Sequence, residues 1–393
     1  MWSRSHSTAR RRLLPALALL AFLGSAAADV SAPPPDYQRA ADYSARHGGR
    51  AVLVQESGQV VFERYDNGWR PNLPHPLASG TKSFTGVLAM LAVQDGLLTL
   101  DEKAADTLVE WREHPQKSQI TVRHLLELSS GLAPGDKELG GGRLGTNLLG
   151  YAAVERARRL GLTEAGEGPP NKFRAALDLP ITHAPGARFQ YGPSHFCAFG
   201  ELLQCKLARS GLPQKTVLAY LRERLLEPVG IPLARIGRDR AGNPNLPGGM
   251  LLTAREWAKF GQFVLDRGAI RQADGTLKPW LKPELLDECF QPSRANPSYG
   301  LTWWLGAQNS ALPAIVDSGS SAPVRSRLQS AATVPLRGPD GKPVRVYMAA
   351  GLGKQRLYVI PDHELVVVRF AEGTREGLQF QDRVFLRAIL GSE

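Results

Sequence analysis

Ser79-Gly80-Thr81-Lys82 is the only Ser-x-x-Lys sequence in the chain. Residues three apart on a helix share a face, so the amine of Lys82 would reach the hydroxyl of Ser79. A lysine partly removed from water loses its proton more readily and can then accept the serine proton, which makes the serine a nucleophile. Backbone N–H groups at a helix start would stabilise the oxyanion that forms. The spacing therefore indicates acyl transfer through Ser79.

The same two residues have a purely structural interpretation. Ser79 would then only cap a helix, and Lys82 would be a surface lysine. A pattern of this kind is expected about once by chance in a chain of this size. The interpretation of Ser79 therefore depends on the sequence around it.

A strand hairpin and a long helix are predicted around Ser79. Residues 51–55 and 60–65 flank Ser57-Gly58-Gln59, which predicts two strands joined by a glycine-containing turn. From Ser79 the apolar spacing changes to 3.6, which predicts a helix that starts at or just before Ser79 and that Gly96 closes. Its apolar face would contain Phe84, Val87, Leu88 and Leu91.

The rest of the chain divides into a helical middle and a C-terminal part rich in strands. Helices are predicted at 122–128, 151–160, 196–209, 214–226 and 254–267. Strands are predicted at 344–349, 355–360 and 365–370, followed by a helix at about 381–390. This order indicates a mixed α/β (α+β) fold, with a sheet region at about 37–75 and 330–393 and a helical region at about 79–325.

Residues 1–28 are predicted to be a signal peptide. Arg4, Arg10, Arg11 and Arg12 precede an apolar stretch at 13–23 and small residues at 24–28. The stretch is shorter than the roughly 20 apolar residues of a spanning helix. We therefore expect an exported protein, periplasmic or extracellular, with one domain at 29–393. The route stays open, because Arg10-Arg11-Arg12-Leu13-Leu14 also fits a twin-arginine signal loosely.

Composition and charge exclude several classes of function. Removing the four arginines of residues 1–28 lowers the net charge from +11 to +7, and the remaining charges are interspersed, so no nucleic-acid partner is expected. No P-loop, dinucleotide fingerprint, Cys-x-x-Cys or His-Glu-x-x-His sequence occurs, so no cofactor or metal is expected.

Cys197 and Cys205 fall about 12 Å apart on one predicted helix, so at most one of them pairs with Cys289.

Longer blocks of sequence extend the Ser-x-x-Lys pattern. They are 78–86, 94–102, 120–132, Pro185-Gly186-Ala187-Arg188-Phe189-Gln190-Tyr191, Gly248-Gly249-Met250 before Thr253-Ala254-Arg255, Tyr299-Gly300-Leu301-Thr302-Trp303-Trp304 and 351–361. In this order they resemble the class C β-lactamase and penicillin-binding-protein-like serine hydrolases, a family with esterases, D-amino-acid peptidases and oligoamide hydrolases. The resemblance covers most of residues 50–375. It implies a β-lactamase/transpeptidase-like fold, with an antiparallel sheet from the two chain ends, terminal helices and a large helical insertion.

The resemblance also implies site residues. Ser79 would be the nucleophile, Lys82 its base partner and Tyr191 a second proton-transfer residue. An ammonium beside a phenol favours the phenolate, so Tyr191 could take or return a proton at neutral pH. A backbone N–H near Gly351 or Leu352 would complete an oxyanion hole with that of Ser79.

Four further sequences have competing interpretations. Tyr191 would otherwise be a core aromatic after a Pro-Gly turn. Tyr65-Asp66-Asn67 spells the family's Tyr-x-Asn motif, but its place at the end of a strand favours a turn. His195 either lines the pocket or is structural, as a lone helical histidine more often is. Residues 317–321 either approach the site or form a surface turn.

Two departures from the family pattern bear on the substrate. Pro193 stands where the family has an asparagine, and it offers no side-chain amide to a substrate carbonyl. Ala349-Ala350-Gly351 replaces Lys/His-Thr-Gly, so the cation near a substrate carboxylate is missing unless Lys354 or Arg356 supplies one. Both departures count against a true β-lactamase and are compatible with an esterase or small-amide hydrolase.

The sequence thus supports two hypotheses. The first is an exported serine hydrolase that acts through an acyl-enzyme on a small ester, amide or peptide substrate. The second is a binding or regulatory module that keeps the fold without turnover. Retention of Ser79, Lys82 and Tyr191 favours the first, and the altered second and third motifs favour the other. The physiological substrate and the oligomeric state stay open.

Overall fold

Strands from both ends of the chain form one six-stranded sheet. The computed structural model describes Met1 and residues 34–140, 168–232, 235–306, 336–372 and 379–392. Its strands are β1 (Gly49–Glu56), β2 (Gln59–Tyr65), β3 (His75–Pro76), β4 (Leu251–Leu252), β5 (Ala269–Arg271), β6 (Leu277–Pro279), β7 (Trp304–Leu305), β8 (Tyr347–Gly351), β9 (Gln355–Ile360) and β10 (Leu365–Ala371). In this part of the chain the sheet order is β2-β1-β10-β9-β8-β7, and all five pairings are antiparallel. The predicted antiparallel sheet is confirmed.

Helices cover both faces of the sheet. They are α1 (Tyr37–Arg46), α2 (Lys82–Gln94), α3 (Val122–Leu126), α4 (Lys172–Ala175), α5 (Ser194–Arg209), α6 (Val217–Leu221), α7 (Glu227–Val229), α8 (Ala254–Leu265), α9 (Pro283–Glu288) and α10 (Asp382–Leu390), and a π-helical stretch at Arg222–Leu226 joins α6 to α7. Side-chain caps fix several starts: Asp36 accepts from Arg39 N–H, and Thr253 forms a capping box with Glu256. No helix among the described residues is long and apolar enough to cross a bilayer.

The period-2 alternation of the strands separates two cores. In β1, Leu53 joins the core under the helical middle, and its neighbour Val52 points to the opposite face. There Val52 packs with Tyr358 of β9 and Phe385 of α10. All seven residues of β10 are buried, because this strand lies between β1 and β9 with helices on both faces. The sheet therefore ties the two chain ends to the helical middle.

Most predicted boundaries agree with the structure, and the exceptions have physical causes. The predicted strand at 344–349 is β8 at Tyr347–Gly351. Val344 and Val346 are buried and apolar, but Val344 N–H donates to Leu336 O, outside the β8–β9 ladder. The predicted helix at 151–160, the loop at 317–321 and nearly all of the signal peptide lie outside the described residues.

Helix α2 buries the predicted apolar face of Phe84, Val87, Leu88 and Leu91, and its other faces are buried as well. Residues 82–92 are all buried, between the sheet and the helical middle. Asp95 holds the C-terminal end of α2. It accepts a hydrogen bond from Tyr220 Oη at 2.7 Å and forms an ion pair with Arg224. This fixation matters because α2 carries Lys82 at its first position.

Arg356 does not face the predicted pocket, contrary to one of the two options for a replacement cation. It is fully buried, and its Nε lies 2.6 Å from Oδ1 of Asp382 at the start of α10. Although burial alone would raise the pKa of Asp382, the charges of Arg356 and then Lys354 lower it. Both candidate cations therefore act on Asp382. The three cysteines are free thiols, so Cys289 pairs with neither of the others.

We expect Asp382→Ala to lower the free energy of unfolding by about 3–5 kcal/mol, because it removes the carboxylate that compensates the buried Arg356 charge. Urea denaturation would measure the loss. The control is Asp362→Ala, which removes the partner of the exposed Arg345 and should cost less than about 1 kcal/mol. Equal losses in the two variants would contradict the role given to the buried pair.

Candidate active site

Ser79 lies on a tight turn directly before α2. The turn is the 3₁₀ segment Ala78–Thr81, in which Ala78 has the left-handed φ of 48° that a non-glycine residue adopts only under constraint. Gly80 N–H donates to Leu77 O at 2.9 Å, and Thr81 Oγ1 donates to Ala78 O at 2.8 Å. These contacts fix the turn and leave Ser79 half-buried.

The C-terminal end of β8 passes directly beside this turn. A Cβ on Gly351 would lie 2.0 Å from the carbonyl oxygen of Leu77, so only glycine permits the approach. Leu352, the next residue, is 37% exposed. The structure thus brings Gly351 close to the Ser79 turn, at the edge where the sequence predicts an oxyanion hole.

Lys82 is buried next to Ser79. It is 5% exposed, and its Nζ lies 3.1 Å from Ser79 Oγ. A second hydrogen bond, of 2.7 Å, goes to the carbonyl oxygen of Pro247. The ring centroids of Tyr191 and Phe196 lie 4.9 and 5.3 Å from the same nitrogen. The three predicted residues Ser79, Lys82 and Tyr191 are therefore brought together.

The surroundings of Lys82 favour the neutral amine. Burial lowers the pKa of Lys82 to about 7, and the negative charge of Asp136 opposes this shift. The neutral amine is therefore accessible to Lys82 near neutral pH. An unprotonated amine at 3.1 Å from Ser79 Oγ is placed to accept the hydroxyl proton.

A short turn before α5 positions Tyr191. Gly192 packs against Pro134, where a Cβ would lie 2.6 Å from the Pro134 Cα, and Ser194 N–H donates to Pro134 O at 3.1 Å. Pro193 precedes the first residue of α5, and its carbonyl accepts from the N–H groups of Phe196 and Cys197. Proline suits a helix start because it lacks the backbone N–H that would have no partner within the helix there. At the position where the family pattern has an asparagine, Pro193 therefore starts a helix and offers no side-chain amide.

His195 is structural and does not line the pocket. Its side chain is fully buried, and Nε2 donates to the carbonyl of Gln190, the residue before Tyr191, at 2.7 Å. Nδ1 then accepts from Ser130 Oγ at 2.9 Å. Burial lowers the pKa of His195 to about 4, so the ring is neutral and keeps this pattern at physiological pH. His195 thus holds the backbone on which Tyr191 sits.

The predicted decoy motif lies away from this cluster. Tyr65 ends β2 and donates to Glu63, and Asn67 follows in a left-handed turn with φ of 52°. Asn67 Nδ2 donates to Gly49 O at 2.8 Å. These contacts confirm that Tyr65-Asp66-Asn67 forms a turn.

Sequence reasoning missed two groups around Lys82 and one beside Tyr191. The Pro247 carbonyl precedes the Gly248-Gly249-Met250 block, but a backbone acceptor has no signature in side-chain patterns. Asp136 lies four residues after Leu132, and only the fold shows that its charge reaches Lys82. Trp304 stacks on Tyr191 with ring centroids 6.1 Å apart, and no spacing pattern in the sequence connects the two residues. Ala349 and Ala350 are buried in β8 and add no charge.

Comparison with known proteins identifies a relative named as an acyltransferase. The acyltransferase calJ of Penicillium decumbens is 27% identical over 270 residues, which are 58% of this chain and 59% of that protein. The chain thus spans about three-fifths of that relative's length.

Solved structures share the fold. The D-stereospecific amidohydrolase of a Streptomyces species has a TM-score of 0.60 at 15% identity, covering 90% of this chain and 98% of that one. EstCE1, a hydrolase with promiscuous acyltransferase activity, has a TM-score of 0.57 at 17% identity, covering 89% and 96%. At these identities the likeness concerns the fold alone.

A family model described as Beta-lactamase matches residues 36–390. The matched range contains the whole six-stranded sheet, the Ser79 turn, Lys82 and Tyr191. The resemblance predicted from the sequence blocks is confirmed, and this chain belongs to the Beta-lactamase family.

Proposed function

We propose that this protein is a serine hydrolase that cleaves small ester or amide substrates through an acyl group on Ser79. The proposal rests on the 3.1 Å contact between Lys82 Nζ and Ser79 Oγ. Burial of this site lowers the pKa of Lys82 to about 7. A neutral amine beside a serine hydroxyl has no structural necessity on a buried helix start. It is the arrangement that nucleophilic catalysis needs.

The reaction proceeds in two halves. Lys82 Nζ accepts the Ser79 proton while Oγ forms a bond to the substrate carbonyl carbon, and the carbonyl oxygen becomes an oxyanion near the N–H groups of Ser79 and Gly351 or Leu352. The intermediate collapses, the leaving group departs with a proton delivered through Tyr191, and the acyl-Ser79 ester remains. Water then adds to the ester carbonyl, and release of the acid restores Ser79.

The charges around the site favour substrates without a carboxylate beside the scissile bond. Ala349 and Ala350 add no cation from β8, and Arg356 is committed to Asp382. The Asp136 charge acts on Lys82 from the loop that holds Tyr191. A substrate carboxylate would therefore meet no fixed cation from β8 and one nearby anion. Esters and simple amides fit better than β-lactams.

Two further parts of the proposal have separate support. An alcohol could replace water as the acyl acceptor, which is consistent with a relative named an acyltransferase and a neighbour described as having acyltransferase activity. The arginines and apolar stretch of residues 1–28 support export to the periplasm or the extracellular space. The intact Ser79, Lys82 and Tyr191 cluster disfavours a binding module without turnover.

We expect purified protein to gain one acyl mass after brief incubation with an activated ester such as p-nitrophenyl acetate, or to turn it over. Ser79→Ala should show neither, because it lacks the nucleophilic oxygen. Intact-mass spectrometry with an absorbance assay measures both, and a penicillin in a parallel sample should give no adduct. Ester turnover at an unchanged rate in Ser79→Ala would refute the proposed nucleophile.

The kcat/KM for the ester should fall about tenfold per pH unit below the pKa of Lys82, near 7, because protonated Lys82 cannot accept the Ser79 proton. Asp136→Asn should move this acid limb to lower pH, since the lost carboxylate no longer stabilises the ammonium. The matched control is Glu138→Gln, a neighbouring exposed acid. A limb that moves equally in both variants, or not at all, would argue against direct action of Asp136 on Lys82.

His195→Phe should lower kcat about tenfold with little change in KM, because it releases the Gln190 carbonyl that positions Tyr191. His195→Gln, which can still donate to that carbonyl, should recover part of the loss. His75→Phe is the control for removing a buried histidine elsewhere. Steady-state kinetics on the folded variants would measure kcat and KM. Identical values in wild type and His195→Phe would exclude a positioning role for His195.

A further inference from the structure

An aromatic cluster stands beside the reacting residues. Tyr191 and Trp304 stack with centroids 6.1 Å apart and planes at 27°, and Phe189 lies 6.4 Å from Tyr191 and 6.0 Å from Trp304. All three rings are half-buried and so keep some exposed surface. Phe189, Tyr191 and Trp304 are called the aromatic wall below.

A buried tyrosine fixes the orientation of the aromatic wall from behind. Tyr299 is 1% exposed. The centroid of its ring lies 5.0 Å from that of Phe189 and 4.9 Å from that of Trp304, and it packs edge to face with Trp304. Trp304 is also held through its β7 pairing with Met348 of β8. The ring faces are thus set by the core and do not depend on a ligand.

The aromatic wall reaches the nucleophile through Tyr191. The Tyr191 ring centroid lies 4.9 Å from Lys82 Nζ, which is 3.1 Å from Ser79 Oγ. In the proposed reaction Tyr191 delivers the proton to the leaving group, so the leaving oxygen or nitrogen must come within hydrogen-bond reach of its hydroxyl. The substituent on that atom then lies against the rings next to Tyr191.

We propose that the aromatic wall binds the leaving group of the substrate, and that this group is an aryl or arylalkyl alcohol or amine. The inference rests on the proposed function, because it needs Tyr191 as the proton donor to the leaving group. A planar apolar ring would complete the offset and edge-to-face contacts that the three side chains already make among themselves. Trp304 is then a specificity-determining residue on the leaving-group side of the bond.

Benzyl acetate and ethyl acetate form the test pair. They share the acyl group, so both give the same acetyl-Ser79 and the same deacylation step, and their alcohols have similar acidity. In wild type we expect kcat/KM for benzyl acetate to exceed that for ethyl acetate about tenfold. Because Trp304 also stacks on Tyr191, the readout is the ratio of the two values: Trp304→Ala should lower the benzyl-to-ethyl ratio of kcat/KM about fivefold or more. Trp304→Phe should keep most of the preference.

Trp280→Ala is the control variant. Trp280 packs on Arg224 and accepts through its carbonyl from Gln94, at the opposite end of α2 from Lys82. It should leave the benzyl-to-ethyl ratio unchanged. Thermal unfolding checks that each variant is folded. If Trp304→Ala does not fold, Phe189→Leu replaces it as the test of the aromatic wall. This variant should also lower the benzyl-to-ethyl ratio.

The outcomes distinguish failure of the leaving-group site from failure of the proposed hydrolase function. A benzyl-to-ethyl ratio that Trp304→Ala and Phe189→Leu leave unchanged, with turnover still abolished in Ser79→Ala, overturns the leaving-group site and keeps the hydrolase. Turnover of both esters at wild-type rates in Ser79→Ala, or none in wild type, overturns the proposed function and the inference with it. Competitive inhibition by benzyl alcohol that weakens at least about fivefold in Trp304→Ala would support the site independently.

Discussion

A lysine amine kept out of water beside a serine hydroxyl is the constraint that the rest of the structure serves. An ammonium in bulk water holds its proton far too tightly to activate a hydroxyl, so Lys82 needs burial. The burial is supplied by α2, enclosed on all sides, and by the backbone of Pro247, which leaves the nitrogen with a hydrogen bond but no close ion pair among the described residues. The core around α2 is therefore also what sets the reactivity of the site.

Distant parts of the sequence must converge to enclose this pair. The turn at Ala78–Thr81 lies against the end of β8, close to 270 residues later, where Gly351 has no Cβ to clash with Leu77 O. The loop at Pro134 supports the Tyr191 turn, and His195 fixes that turn from inside α5. Each contact is a backbone approach or a buried hydrogen bond. Small changes in side-chain volume at these points would move reacting groups by amounts that matter for catalysis.

The sequence predicted most of the elements and the proximity of Lys82 to Ser79 well because those signals are local. The spacing of Ser79 and Lys82, the Ser57-Gly58 hairpin and the strand at Gln355–Ile360 all depend on near neighbours. The fate of Arg356 was not predictable in this way. Alternation says that neighbouring strand residues point to opposite faces, but it does not say which face meets the pocket. The buried ion pair with Asp382 became visible only once α10 was placed.

Residues that act through the fold were also hidden. Asp136 and Trp304 reach Lys82 and Tyr191 only because loops and an edge strand are folded against them, with no spacing rule to connect them. His195 shows the opposite case, since its place four residues after Tyr191 suggested a role but could not distinguish a pocket ligand from a backbone clamp. The partner carbonyl of Gln190 made that distinction.

The pairing of β1 with β10 has a consequence for how the chain is made. The first strand of the sheet takes its central partner from Leu365–Ala371, so a nascent chain has no complete sheet until these residues have been synthesised. Until then β1 and the apolar faces of the helical middle lack their largest packing partner, and contacts this far apart in sequence form slowly. Synthesis therefore exposes a long aggregation-prone interval. The Ser79 turn, which lies against Gly351 at the end of β8, likewise lacks this contact until β8 has been synthesised.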